Sequence, residues 1–464
     1  MELSRHKKIL FVVHLLLTLI CFYWLVSDSW SGLGLLIFGG VELLFSLILC
    51  KNKRWALIFS GSILVLCATS FYRDNPFCYF NYLSFIVLLT VQTVYSVFGA
   101  EQNKVSSFFA SLFEPFIHIV NPFKWAGNAI KSKDSRVGKA LITAIVSGVV
   151  LIIVLALLSG ADMVFSKGVE NLFSDFFDIF RAEGIFRLYL SAFVTVYIFG
   201  SFYATNRTPA EKTEAEKKPG LLSGFSPLFL LFALIAIYCI FCAIQIKYLF
   251  LGATLPDGIT HAEYARKGFF ELLVVSAINL AIVLSSFAIS RKRDKNKKLI
   301  SSLGYALLSI TVFLLFCSFR RMQLYYLADG LTRMRTLVFI FLIFEFIGLI
   351  ITFFYLAKPK FNIIYIYFML ALSFWLSVNV ISIDRIVAKN QVDLYLDGKR
   401  SDIYYVTRLS CDAAPELARI LESGDYTFYH TINNYFNSIE APSSWQETNL
   451  STLRALKIKE EAIR

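Results

Sequence analysis

The chain has 464 residues, 57% of them hydrophobic and 17% charged, and a formal net charge of +12. Soluble domains run at about 45–50% apolar and about 25% charged, so this composition excludes an ordinary soluble enzyme. The positive balance does not point to nucleic acid either, because Lys and Arg sit in the short runs that flank apolar blocks.

Those blocks are roughly 18–25 residues long, enough to cross ~30 Å of hydrocarbon as a helix rising about 1.5 Å per residue. They are apolar all round, whereas strands of a membrane barrel alternate apolar and polar residues. The expected architecture is therefore an all-α polytopic transmembrane bundle of about eleven helices. In chain order they fall near 9–26, 32–50, 55–71, 79–98, 140–159, 185–203, 227–248, 268–290, 299–319, 337–356 and 361–382. The 46 Phe and 23 Tyr suit lipid contact and the membrane–water interface.

Orientation follows from the basic residues. With the N-terminus inside, near Arg5, Lys7 and Lys8, the inner loops hold Lys51 to Arg54, the stretches 99–139 and 204–226, Arg291 to Lys298, and Lys358 to Lys360. The outer loops are poorer in Lys and Arg, apart from the segment Arg320 to Arg335, which is expected to be a loop. An odd helix count places the C-terminus outside.

Four regions follow: 1–100 as four membrane helices, 101–139 as a cytoplasmic interfacial segment, 140–384 as seven membrane helices, and 385–464 as a small helical extracytoplasmic domain. Within the second, the aromatic run from Phe108 to Phe113 followed by Pro115 and Pro122 reads as a kinked helix lying in the inner interface. Residues 162–184, with Phe173, Phe176, Phe177 and Phe180, read as an amphipathic outer helix. Residues 204–220 read as a charged inner loop. In the last region, Asp412-Ala413-Ala414-Pro415-Glu416 has the form of a helix start with Pro in the first turn.

No phosphate-binding glycine loop, zinc-protease helix, nucleophile elbow or dinucleotide fingerprint occurs. Five scattered histidines, His6, His14, His118, His261 and His430, do not make a metal site. The pair Cys239 and Cys242 lies inside an apolar span, where a thiolate is costly. No cofactor or metal is expected.

Polar residues within spans carry more information, since a charge at mid-bilayer costs a few kcal/mol or more. Glu345 is the deepest, Glu42 is near mid-span, and Glu271 lies toward an outer end; Gln92, Gln245, Asn279 and Asn379 are uncharged companions. These carboxyls would serve a proton or cation relay or a polar substrate site, or would sit protonated between helices as structural hydrogen-bonders. His14 reads as a satisfied packing residue. A second candidate is an outer-rim ionic cluster of Arg266, Arg320, Arg321, Asp329, Arg333 and Arg335. It would hold lipid headgroups, or else snorkel and pair with Asp257, Glu263 and Asp329.

Several stretches carry a family resemblance: Tyr264 to Leu273, Tyr326 to Arg335, Gly160 to Phe165, Ile383 to Ala388 and Leu409 to Pro415. Taken in chain order they resemble motifs of bacterial multi-pass membrane proteins grouped as domains of unknown function 4153 and 4173, over roughly residues 140–455. The resemblance implies a membrane protein of a bacterial envelope and no particular activity; the expected location is the bacterial cytoplasmic (inner) membrane. Three functional readings follow. One is a transporter or channel-like protein using the intramembrane carboxylates. Its equal is a signalling or assembly protein that meets an envelope partner through the outer C-terminal domain. An enzyme acting on lipid-linked substrates at the arginine-rich rim ranks third.

Overall fold

The structure, a computed structural model, describes residues 4–26, 31–74, 76–102, 105–118, 121–122, 124–125, 182–206, 227–251, 269–293 and 297–462. Among them every regular element is helical. Seven helices are long and apolar enough to cross a membrane, and two apolar helices, Leu33–Leu49 and Leu272–Ala288, are shorter. The expected span at 140–159, the amphipathic segment 162–184 up to residue 181, and the charged inner loop 204–220 from residue 207 lie outside the described residues. The chain divides into two compact units.

The first unit holds α1 (Arg5–Leu25), α2 (Leu33–Leu49), α3 (Lys53–Tyr72), α4 (Cys78–Gln102), α5 (Val105–Ile117) and α6 (Ala182–Ala204), with the segment Pro442–Leu450. Helices α1 to α4 pack in succession, and α6 closes the bundle against both α1 and α4. Its interior is aromatic: the Phe11 ring meets Phe199 edge-on at 5.6 Å, and Trp55 and Tyr95 flank Phe59. Leu33 N–H donates to the Thr448 carbonyl at 3.1 Å and Asn449 Nδ2 to the Ser70 carbonyl at 2.8 Å, so the late segment caps the ends of α2 and α3.

Helix α5 has 13 residues with Pro115 in its last turn. It rises about 20 Å, short of the ~30 Å hydrocarbon core, and leans on α6, where Phe116 meets Phe193 at 5.6 Å and Tyr197 at 5.8 Å.

The second unit holds α7 (Pro227–Gln245), α8 (Phe269–Arg293), α9 (Lys297–Asp329), α10 (Arg333–Ala357), α11 (Ile363–Val380), α12 (Ile383–Leu396), α13 (Ala414–Glu422), α14 (Tyr429–Asn437) and α15 (Leu450–Ala462, assigned to this unit from Ser451). Helix α9 packs against α7, α8 and α10 around Leu231, Val283, Leu307, Leu342 and Leu349. Asn362 caps α11 by accepting from Ile364 N at 3.0 Å and Tyr365 N at 3.3 Å. Pro415 lies in the first turn of α13, where a missing N–H costs nothing.

One boundary differs from the sequence reading. The segment Arg320 to Asp329 is helix, not loop, and α9 runs for 33 residues. Nothing between Arg320 and Asp329 breaks a helix, and the charge of Arg321 is accommodated by a buried partner, Gln245. The turn is only Gly330 to Thr332.

Close approach of α2 and α3 rests on Gly39. A Cβ there would lie 2.8 Å from Cys67 Sγ, whereas a Cβ on neighbouring Gly40 would meet nothing within 4 Å. Gly39→Ala is expected to cost about 1–3 kcal/mol by overpacking. Gly40→Ala is expected to be neutral or to stabilise by up to about 1 kcal/mol through helix propensity. Thermal unfolding of the purified variants checks this contrast, and Cys67→Ala should relieve the Gly39→Ala defect.

Candidate functional site

The inner face of α1 is set by helical spacing: Phe11, His14, Thr18 and Phe22 are all buried. On α2, Glu42 and Ser46 are buried one turn apart, followed by buried Cys50. The two faces meet at Glu42. Its Oε1 accepts from the Thr18 hydroxyl at 2.7 Å, and its Oε2 lies 2.9 Å from His14 Nε2. His14 is fully buried between two rings, Phe45 at 4.8 Å and Phe202 at 5.1 Å, the latter stacked.

With Nε2–H donating to the carboxylate, His14 Nδ1 keeps a lone pair, and that atom is buried without a hydrogen-bond partner. That nitrogen is therefore an acceptor position on a ring whose other nitrogen is bound to a carboxyl group.

Polar groups continue along α2. Ser46 Oγ lies 2.8 Å from Ser60 Oγ and accepts from Gln92 Nε2 at 2.9 Å; Gln92 Oε1 accepts from Ser60 at 2.7 Å, and Gln92 Nε2 reaches Cys50 Sγ at 3.3 Å. At the end of the helix, Asn206 Nδ2 donates to the Leu49 carbonyl at 3.1 Å and Asn206 Oδ1 accepts from Lys7 Nζ at 2.7 Å. Lys53 Nζ donates to the Cys50 carbonyl at 2.8 Å. Beside Glu42 lies a cavity of about 180 Å³ bounded by α2, α3, α4 and α6.

In the second unit, Glu345 on α10 accepts from the Ser276 hydroxyl of α8, and its Oε2 is buried without a partner. Nearby, Tyr367 is committed elsewhere, to the Gly348 carbonyl at 2.7 Å and the Thr352 hydroxyl at 2.6 Å. Asn279 bridges Tyr238 and Thr311 at 2.9 and 3.1 Å. Glu271 lies in the first turn of α8, with its side chain outside the described residues. Glu42 therefore belongs to one unit and Glu271 and Glu345 to the other.

The arginines fall into separate settings. Arg266 lies outside the described residues, as does the side chain of Asp329. Arg320 donates to Gln323 at 2.8 Å, and buried Arg321 to Gln245 at 2.9 Å. Arg335 is buried, sits 3.6 Å from the Tyr325 ring centroid and donates to the Gly330 carbonyl.

Arg333 makes a two-pronged pair with Asp384 of α12, at 2.6 and 2.5 Å. The turn before it is built for this: Gly330 ends α9 at φ +73°, and Thr332 caps α10 by accepting from Arg335 N at 3.4 Å. Without a Cβ at Gly330, Gln391 closes on the turn and donates to the Leu331 carbonyl at 2.5 Å, while Asn390 Oδ1 accepts from Leu331 N at 2.8 Å. Two stretches singled out in the sequence, Tyr326 to Arg335 and Ile383 to Ala388, thus form one joint.

Sequence reasoning missed Thr18, Ser276 and Asp384 as partners. His14 and Thr18 had a usable signal, since a spacing of four places both on one face of a helix. Asp384 had none beyond its charge. Among the described residues no three or more His, Cys, Asp and Glu side chains group as a metal site.

The model of the family described as a domain of unknown function, DUF4153, matches residues 12–420. The chain belongs to that family. The match takes in the helices around His14 and Glu42 as well as the later stretches that carry the motif resemblance. No curated protein and no solved structure matches the chain significantly.

Burial by itself would raise the Asp384 carboxyl, but the hydrogen bonds from Arg333 and Ser410 outweigh it and hold the group below its usual range. A carboxylate with a depressed value contributes stability above its unfolded value, about 3.9, and loses it as pH falls through the folded value. Asp384→Asn is expected to cost about 2 kcal/mol, less than a fully buried pair because Arg333 regains some water. Melting curves against pH should show the wild-type advantage constant above about pH 5 and shrinking below about pH 4.

Proposed function

We propose that this membrane protein is transporter-like and that its first unit exchanges protons at the His14–Glu42 pair. One observation carries the reading: a buried imidazole, hydrogen-bonded to a buried carboxylate, keeps one nitrogen unpartnered. Most buried polar side-chain atoms find a hydrogen-bond partner, so an unpartnered ring nitrogen beside a carboxylate calls for an explanation. Here the pair alternates between carboxylate with neutral imidazole and carboxylate with imidazolium, which differ by one proton at Nδ1.

The polar stripe of Ser46, Ser60, Gln92 and Cys50 supports a route between Glu42 and the end of the bundle marked by Lys7, Asn206 and Lys53. Glu42 and Ser46 stand one helical turn apart, a gap that bridging water spans. By the distribution of Lys and Arg, that end faces the cytoplasm of a bacterial inner membrane. Glu345, bonded to Ser276 with one oxygen unpartnered, is a second protonatable position in the other unit.

Proton access is tested on the full chain in liposomes by pH-jump infrared difference spectroscopy, with His14→Phe isolating the contribution of this ring. The expected result is an imidazole band that follows bulk pH and disappears in His14→Phe. An imposed pH gradient should decay faster than in empty liposomes, and Glu42→Gln should slow that decay roughly a hundredfold, the scale of a lost acid–base group. A His14 that does not exchange with bulk from either side would overturn the reading.

A further inference from the structure

We infer that the cavity beside Glu42 binds a lipophilic molecule with a single hydrogen-bond-donating end, such as a long-chain alcohol or amine, drawn from the bilayer. The inference rests on the membrane reading of the helices and adds a ligand to the Glu42 site. It needs Glu42 as an acceptor and does not need proton exchange.

Size and lining come first. At about 180 Å³ the cavity exceeds an engineered apolar cavity of about 150 Å³ that stays dry and takes up benzene. Its wall is almost wholly hydrocarbon and aromatic, with Phe38, Ile63, Phe85, Leu89, Phe193 and Ile198 among the contributors. Water needs two to four polar partners at each position, and this wall does not offer them.

The polar groups on the wall define the other end of the ligand. The Tyr197 hydroxyl is engaged with Thr90 at 2.7 Å, and the Ser60 hydroxyl with Ser46 and Gln92. Cys67 packs against Gly39. Tyr82, also on the wall, is partly exposed on α4, whereas the buried Glu42 carboxylate holds one donor on each oxygen and has lone pairs to spare. A carboxylate only accepts, so the matching group is a donor, and a hydroxyl or ammonium satisfies it. A donor bonded to a carboxylate in so apolar a setting gains more than it would in water.

The route of entry follows from exposure. Tyr82, Phe85 and Ile86 of α4 and Leu190 and Phe193 of α6 line the cavity and are themselves partly exposed. In a bilayer, apolar side chains exposed on the outside of a helix bundle meet lipid. The hydrocarbon of a long ligand can therefore run from the cavity past α4 and α6 into the surrounding chains, with its donor end at Glu42.

The test is photolabelling of the full-length protein in lipid nanodiscs with three probes. All share one diazirine-bearing hydrocarbon chain; they end in a hydroxyl, an ammonium or a methyl group. The two donor-ended probes are expected to label peptides of α4 and α6 saturably, and about tenfold more than the methyl-ended probe, the worth of one hydrogen bond to a charged group. Glu42→Leu should erase that preference. Ile63→Trp and Leu89→Trp, each filling the cavity, should abolish labelling by all three. Equal labelling by donor and methyl probes in the wild type would overturn the inference without recourse to any variant. So would labelling that persists in well-folded Ile63→Trp. Donor-selective labelling with a silent His14 would keep the ligand site and remove the proton reading. Head-blind labelling with an exchanging His14 would do the reverse.

Discussion

In a helix bundle surrounded by hydrocarbon, every polar side chain drawn inside must find its partner within the protein. Unpaired buried polar groups cost about 1–3 kcal/mol each, so the few polar residues of the spans decide which helix faces turn toward each other. Glu42 fixes α2 against α1 through His14 and Thr18, Gln92 ties α4 to α2 and α3, Asn279 ties α8 to α7 and α9, and Glu345 ties α10 to α8. Apolar packing alone is permissive about rotation of one helix on its neighbour. These bonds make it specific.

Where the pairing is incomplete, chemistry is left over. Among the described residues, His14 Nδ1 and Glu345 Oε2 are two buried atoms of this kind. At His14 the surroundings favour use: a carboxylate on one nitrogen, aromatic rings on two sides, and a file of hydroxyl and amide groups along α2. Glu42 also lines a hydrocarbon-walled cavity, and a low local dielectric strengthens a hydrogen bond made there.

The Arg333–Asp384 joint shows the opposite outcome for a charge. Both prongs of the guanidinium are committed, and Ser410 N–H adds a third bond to the carboxylate at 2.8 Å. Such a group is occupied in holding the turn at Gly330 against α12 and has little left for a lipid phosphate. Arg335, stacked on Tyr325 and bonded to its own turn, is similarly engaged. Arginines that read in sequence as one rim cluster are thus divided between a buried helix contact at Arg321 and a structural joint at Arg333.

The sequence by itself determined where the helices lie. Long apolar runs have one solution in lipid, since only a helix satisfies its own backbone within a single segment; ten of the eleven expected segments fall on described helices, seven of them long and apolar enough to cross a membrane, while 140–159 falls outside the described residues. It also singled out Glu42 and Glu345 as polar residues within apolar spans. What it missed was partnership. The link from Glu42 to His14 and Thr18, from Glu345 to Ser276, and from Arg333 to Asp384 depends on the rotation and register of one helix against another. A hydrophobic pattern that is nearly uniform around the helix does not encode that angle, because every face is compatible with lipid. Only the packed bundle, through close contacts such as Gly39 on Cys67, selects the faces that meet.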